Sequence, residues 1–215
     1  NKNPLGILGI TSIFEIIIFT PFVFSVPFPT TYIWILIIIS AFLHGFYRLL
    51  VVYSYNYGDL SFIYPVARGS SSLLLAIISL IYLSDKISLL GFIAILIVCL
   101  GLFLISYSDK IKFNYSAFYL GFVTAVMITA YTLIDGIGIR HSPNPYTFLY
   151  WMLLLNGTPA LIASLLYKNN GIRVIDKNLI FTGILFGILA PLAYGIVVWC
   201  MQYLPIAYVS SLRES

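Results

Sequence analysis

The sequence predicts an all-α fold, a polytopic bundle of membrane-spanning helices. Three observations lead there. Of 215 residues, 61% are hydrophobic and 8% are charged, against about 25% charged in a soluble domain. The mean hydropathy is +1.03. The charges gather in short breaks, and the apolar runs between them are each about 20 residues long, enough to cross a bilayer as a helix. A water-facing fold would leave this apolar surface uncovered. The net charge of +4 comes from basic residues scattered through short loops. With no basic stripe, nucleic acid is not an expected partner. Cys99 and Cys200 lie inside apolar runs and read as small buried hydrophobes. No metal-ligand spacing is present, and no metal or cofactor is expected.

Span A covers residues 5–25 and stops at Val26-Pro27-Phe28-Pro29-Thr30, where two prolines end helical hydrogen bonding. Span B covers 31–57 and is closed by Gly58-Asp59, and span C covers 61–83. Ser84-Asp85-Lys86 turns tightly into span D, 87–107, so C and D form an antiparallel helical hairpin. Asp109-Lys110-Ile111-Lys112 is a polar break. Span E, 116–139, ends at Arg140-His141-Ser142-Pro143-Asn144-Pro145. Span F, 146–167, is interrupted at Asn156-Gly157-Thr158-Pro159, a combination that frees backbone groups and kinks a helix. The longest polar loop, 168–177, follows. From Asn178 to Leu212 no residue is charged, too long for one crossing. Tyr203-Leu204-Pro205 divides it into span G, 179–202, and the start of span H. The chain has no initiator Met and stops inside span H, so it is expected to be part of a longer protein.

Two stripes of small residues predict close helix packing, the main source of association energy in lipid. One is Gly69, Ser72, Ala76 and Ser79 on span C; the other is Gly183, Gly187, Pro191 and Gly195 on span G.

Against this apolar background the polar residues carry the functional signal. Arg68 heads the apolar run of span C, and an Arg at the centre of a span costs roughly 2.5–3.5 kcal/mol, so such charges normally line an interior. Arg213 repeats the setting at the start of span H. Tyr64, Arg68 and Ser72 share one face of span C; His44, Arg48 and Tyr55 share one of span B; Thr124, Tyr131 and Asp135 share one of span E. Glu15 lies at the centre of span A, Asn156 at the interruption of span F, and Glu214 follows Arg213. Helix pairing, snorkelling of Arg48 toward the interface and a solvated end for Asp135 each account for single members. The set as a whole points to a cavity for a small polar solute, with Arg geometry suited to a carboxylate. Substrate-pathway candidates are Arg68, Tyr64, Ser72, His44, Arg48, Tyr55, Tyr131, Asp135, Asn156 and Arg213. Glu15 and Glu214 are the candidates for proton coupling. Spans C and H are five spans apart, an odd count that reverses direction across the membrane, so equivalence of Arg68 and Arg213 makes the halves inverted repeats.

The run Gly58-Asp59-Leu60-Ser61-Phe62-Ile63-Tyr64-Pro65-Val66-Ala67-Arg68-Gly69-Ser70, followed by an apolar span, an acidic-basic turn and a Gly-containing span, resembles the EamA-like family of the drug/metabolite transporter superfamily. Residues 131–138 are similar to that family's sixth span and 205–215 to the start of its ninth. The turn Ser84-Asp85-Lys86 departs from the family's usual Gly-Glu-basic pattern. The resemblance implies a ten-span, five-plus-five inverted-repeat transporter. Residues 1–108 would form the first repeat without its first span, and 116–215 the second, cut in its fourth span.

The function this implies is secondary transport, as an exporter of a small metabolite such as an amino acid, by alternating access in a bacterial inner (plasma) membrane. The expected partners are a small-molecule substrate, the lipid bilayer, protons as coupling ion, and a second copy of the chain in a homodimer. An intramembrane enzyme is the weaker reading, since neither His-Glu-x-x-His nor Gly-x-Ser-x-Gly occurs; a channel or scaffold is the third. Lys2, Lys110, Lys112, Lys168, Arg173 and Lys177 fall on one set of loops, and only Lys86 and Arg140 on the other. Loop charge places the first set in the cytoplasm, whereas the family's orientation places it outside.

Overall fold

A backbone removed from water must satisfy its own N–H and C=O groups, and an apolar run does so most simply as a helix. The computed structural model describes residues 4–54, 60–82, 85, 87–106, 115–167 and 177–214. Among these residues the secondary structure is helical, without strands. The helices are α1 (Pro4–Val23), α2 (Thr31–Ser54), α3 (Leu60–Tyr82), α4 (Leu89–Ser106), α5 (Tyr115–His141), α6 (Pro145–Asn156), α7 (Thr158–Leu166), α8 (Lys177–Cys200) and α9 (Ile206–Glu214). Six segments are long and apolar enough to cross a membrane, with α6 and α7 counted as one; Leu89–Ile105 is a shorter apolar helix. The chain is thus an all-helical integral membrane protein. Large side chains such as Phe181, Phe186, Leu189, Leu192 and Ile196 stand exposed along α8. Water would oppose so much uncovered apolar surface, and lipid does not.

The helices divide into two compact units, and each draws on both halves of the chain. The first comprises Asn1–Val52 and Ile134–Gln202, the second Tyr53–Leu133 and Tyr203–Ser215.

In the first unit α1 packs against α6, α7 and α8. The approach to α8 depends on missing side chains. A Cβ on Gly187 would lie 2.7 Å from Cβ of Phe14 and 2.9 Å from the Thr11 carbonyl oxygen, and one on Gly183 would strike Ile10. Gly195 faces Leu149 and Leu153 of α6. The small-residue stripe of span G therefore serves two neighbours, α1 and α6. Span F bends where expected. Pro159 has no N–H to give the carbonyl of Leu155, four residues back, and the Thr158 hydroxyl donates to that oxygen at 2.7 Å instead. The Pro159 ring then fills the space left by Gly45 of α2.

In the second unit α3 packs along α4 and against α9. Ser72, Ala76 and Ser79 are buried on α3, and a Cβ at Gly69 would touch Leu102, Phe103 and the Cys99 carbonyl at 3.4–3.5 Å. Ala76, Ile95, Cys99 and Ala207 form one apolar cluster, and Phe62, Ile63, Val66 and Ala117 another. The short helix α9 is held by the turn between α3 and α4. Asp85 accepts a hydrogen bond from the backbone N–H of Ile206 at 3.1 Å. The Tyr208 hydroxyl accepts one from the Ser88 N–H at 2.8 Å. Ser84 and Lys86 of that turn lie outside the described residues.

Candidate functional site

The first unit buries two adjoining polar pairs. Glu15, 1% exposed, stands at the middle of α1. Its two carboxylate oxygens receive the two terminal nitrogens of Arg48 from α2, at 2.9 and 3.2 Å. This is the two-pronged geometry that makes guanidinium–carboxylate pairs strong. Gly157, at the bend between α6 and α7, leaves room for it, since a Cβ there would lie 2.8 Å from Oε2 of Glu15. One helical turn before Arg48 on α2 is His44, whose Nε2 lies 3.0 Å from Oδ2 of Asp135 on α5. Asp135 is fully buried. Oδ2 also accepts the Tyr194 hydroxyl of α8 at 2.5 Å, and Oδ1 accepts the Ser40 hydroxyl of α2. The rings of His44 and Tyr194 meet edge to face, 5.0 Å between centroids.

The spacing on α2 explains the arrangement. Ser40, His44 and Arg48 recur every four residues and share a stripe on one face. Sequence reasoning found His44 and Arg48 but missed Ser40 and Tyr194. Extending the same spacing one step back reaches Ser40. Tyr194 follows Gly187 by seven residues, two turns along a face that read only as small-residue packing. Asn156 is buried at the α6–α7 bend and donates to the Met152 sulfur at 2.9 Å; its Oδ1 has no hydrogen-bond partner.

The second unit holds the other cluster. Nη1 of Arg68 lies 2.9 Å from Oε2 of Glu214 and donates to the backbone carbonyl of Arg213 at 3.2 Å. Oε2 of Glu214 is buried without an aligned hydrogen bond. The two findings agree if the contact with Arg68 is an off-axis ion pair, and the distance makes it one. Arg213 grips Oε1 of the same carboxylate, with Nε at 2.7 Å. Among the described residues, then, two guanidiniums share one carboxylate. Each also lies near an aromatic face: Arg68 is 4.3 Å from the ring centre of Tyr64, and Arg213 is 5.7 Å from that of Tyr131. The hydroxyls of Ser72 and Ser210, on α3 and α9, are buried without hydrogen-bond partners.

The predicted site residues thus separate between the units. Glu15, His44, Arg48, Asp135 and Asn156 belong to the first, and Tyr64, Arg68, Ser72, Tyr131, Arg213 and Glu214 to the second. Tyr55 lies outside the described residues. Both carboxylates singled out for proton coupling, Glu15 and Glu214, stand in ion pairs with arginine. Asp135 instead faces a histidine and two hydroxyls.

Compared with known proteins, the chain matches no protein-family profile and no curated protein.

Proposed function

We propose that this protein is a secondary transporter, an exporter of a small metabolite such as an amino acid, working by alternating access in a five-plus-five inverted-repeat bundle. The observation that carries this reading is the Arg68–Glu214–Arg213 cluster. Charges placed inside membrane-length helices are costly and typically mark solute pathways. Here the side chains of Arg68 and Arg213 keep 24% and 15% exposure, enough for a solute to reach them. Guanidinium groups recognise carboxylates by two-pronged hydrogen bonding, so the cluster suits a solute that carries one.

The make-up of the units supports the inverted repeat. In that scheme α1 corresponds to α6 and α7, α2 to α8, and α3 to α9. Each set of counterparts falls within a single unit, as expected when repeats interlock around a pseudo-twofold axis.

The test is transport of an amino-acid and carboxylate panel by the purified full-length protein in liposomes, comparing Arg68→Ala with the unsubstituted protein. Transport of a panel member that falls at least about tenfold in Arg68→Ala, with equal protein in the membrane, is the expected result. No transport of any member counts against the reading, and unchanged transport in the variant removes Arg68 from the pathway.

A further inference from the structure

The geometry of the first unit points to a proton-binding site: we propose that Asp135 and His44, held by Ser40 and Tyr194, bind one proton in the interior of the bundle. The proposal concerns proton binding itself and does not depend on the transport reading.

Charge balance is the first argument. The charged groups that act on His44 are Asp135 on α5, Arg48 on its own helix α2, and Glu15 on α1. Tyr194, from α8, is a further titratable group in contact with it. Glu15 and Arg48 neutralise each other through two hydrogen bonds. That leaves the Asp135 carboxylate, 0% exposed, as a negative charge with no cation among these four groups while the imidazole is neutral. An uncompensated buried charge is among the most expensive things a fold can hold. One proton from solvent, taken up by the imidazole, makes an imidazolium–carboxylate pair and brings the group of four to neutrality.

Hydrogen placement is the second argument. The 3.0 Å contact between Nε2 of His44 and Oδ2 of Asp135 is attractive only with a hydrogen between the two atoms, since otherwise lone pairs face each other. The same oxygen also accepts from Tyr194, and with the carboxylate ionised the shared hydrogen belongs to Nε2. The incoming proton then makes the ring an imidazolium. Ser40 and Tyr194 also direct hydroxyl hydrogens at the carboxylate. The site therefore presents hydrogens, and a metal cation would find one carboxylate and few free oxygen lone pairs. A proton is the ligand that fits.

Placement on α2 links this site to its neighbour. His44 and Arg48 are one turn apart on one face, so charging the imidazole sets two cations side by side, each opposite its own carboxylate. Loss of the proton returns the excess negative charge to the same face. Protonation thereby acts on the electrostatic fit of α2 against α1 and α5.

The chain contains two histidines, which makes the test direct. In His141→Gln, nitrogen-15 histidine labelling of the full chain in lipid nanodiscs leaves His44 as the sole imidazole signal. His141 lies exposed at the end of α5, outside the site. The expected result is a pH-dependent conversion of the His44 nitrogens from neutral to charged form, absent or displaced by more than a pH unit in Asp135→Asn. Should that variant fail to fold, Tyr194→Phe keeps the ring and removes one donor. Its conversion midpoint is expected to move by about 0.7 pH unit, the equivalent of one hydrogen bond. A His44 signal that never changes form in the parent chain overturns the proposal. So does a midpoint that stays the same in whichever variants fold. Transport plays no part in this readout, so a chain that transports nothing still decides it.

Discussion

At the scale of single residues, the Glu15–Arg48 pair shows what a buried charge does in this fold. Each group is tolerable inside the bundle because the other is there, at 2.9 and 3.2 Å. Removing one leaves its partner charged and without its counter-ion. Arg48→Met alone is therefore expected to lower stability by about 3–5 kcal/mol, and Glu15→Leu with Arg48→Met to recover most of that loss, because an apolar pair of similar volume avoids the desolvation cost. Denaturant unfolding in detergent micelles measures both. A double variant as unstable as the single one would mean that the pair's value lies in contacts other than its charge. Steric residues make a sharper case. A Cβ at Gly138 would overlap the ring of Phe148, which is fully buried. Gly138→Ala is expected to cost about 1–3 kcal/mol by forcing that ring from its place, again read from unfolding. Residue identity was legible from sequence where a charge broke an apolar run, as with Arg48 and Arg68. It was not legible for Ser40 and Tyr194. A Ser or Tyr inside a membrane helix has many uses, and only the third dimension brings both to Asp135. The same limit applies to Asp135, which lies near a span end where a solvated carboxylate is the ordinary expectation. It is in fact fully buried.

At the scale of elements, the helix boundaries followed from apolar length and Pro or polar breaks, and α1 to α9 begin and end close to where these signals lie. The partners of each helix did not follow, since a small-residue or polar stripe marks a packing face without naming the helix that meets it. Local chemistry fills two of the gaps. In the bent segment of α6 and α7, Thr158 supplies the hydrogen that Pro159 cannot, donating to the Leu155 carbonyl. Thr158→Val keeps the branched shape and removes the donor, so a loss of about 1 kcal/mol is expected, seen as faster amide exchange around residue 161 and a lower unfolding midpoint. For α9, Asp85 caps an N-terminus across 121 residues of sequence. N-cap removal costs about 0.5–2 kcal/mol. Asp85→Ala is expected to free the first turn of this nine-residue helix, whereas Asp85→Asn, which keeps an acceptor oxygen, holds it. Amide exchange at Ile206 and Tyr208 separates the two. Equal protection in both variants would show that the Asp85 carboxylate is not what holds the first turn.

At the scale of the whole molecule, the first unit brings its α1–α2 and α5–α6 turns together at one end of its helices. In the first, the Thr147 hydroxyl at the start of α6 donates to the Pro27 carbonyl at 3.2 Å, and Phe28, Trp34 and Trp151 meet as an aromatic group with centroids 4.8–5.5 Å apart. In the second, the α3–α4 turn meets the start of α9. Trp and Tyr gather at the lipid–water boundary, so the Trp34–Trp151 group marks the level at which helices leave the hydrocarbon. At this end of the first unit the Arg140 side chain is engaged with the Met201 carbonyl at 2.8 Å. By sequence, Lys2, Lys110, Lys112, Lys168, Arg173 and Lys177 belong to the opposite set of breaks from Lys86 and Arg140. Positive charge in short loops resists translocation, so the Lys-rich set is expected to be cytoplasmic. In a chain whose Cys99 and Cys200 are replaced by Ala, Pro143→Cys and Asn169→Cys report on the two faces separately. An impermeant thiol reagent added outside intact cells is expected to label position 143 and spare position 169. The reverse labelling would mean that loop charge does not set the topology and that the orientation implied by the EamA-like resemblance holds instead, with the Trp34–Trp151 boundary facing the cytoplasm.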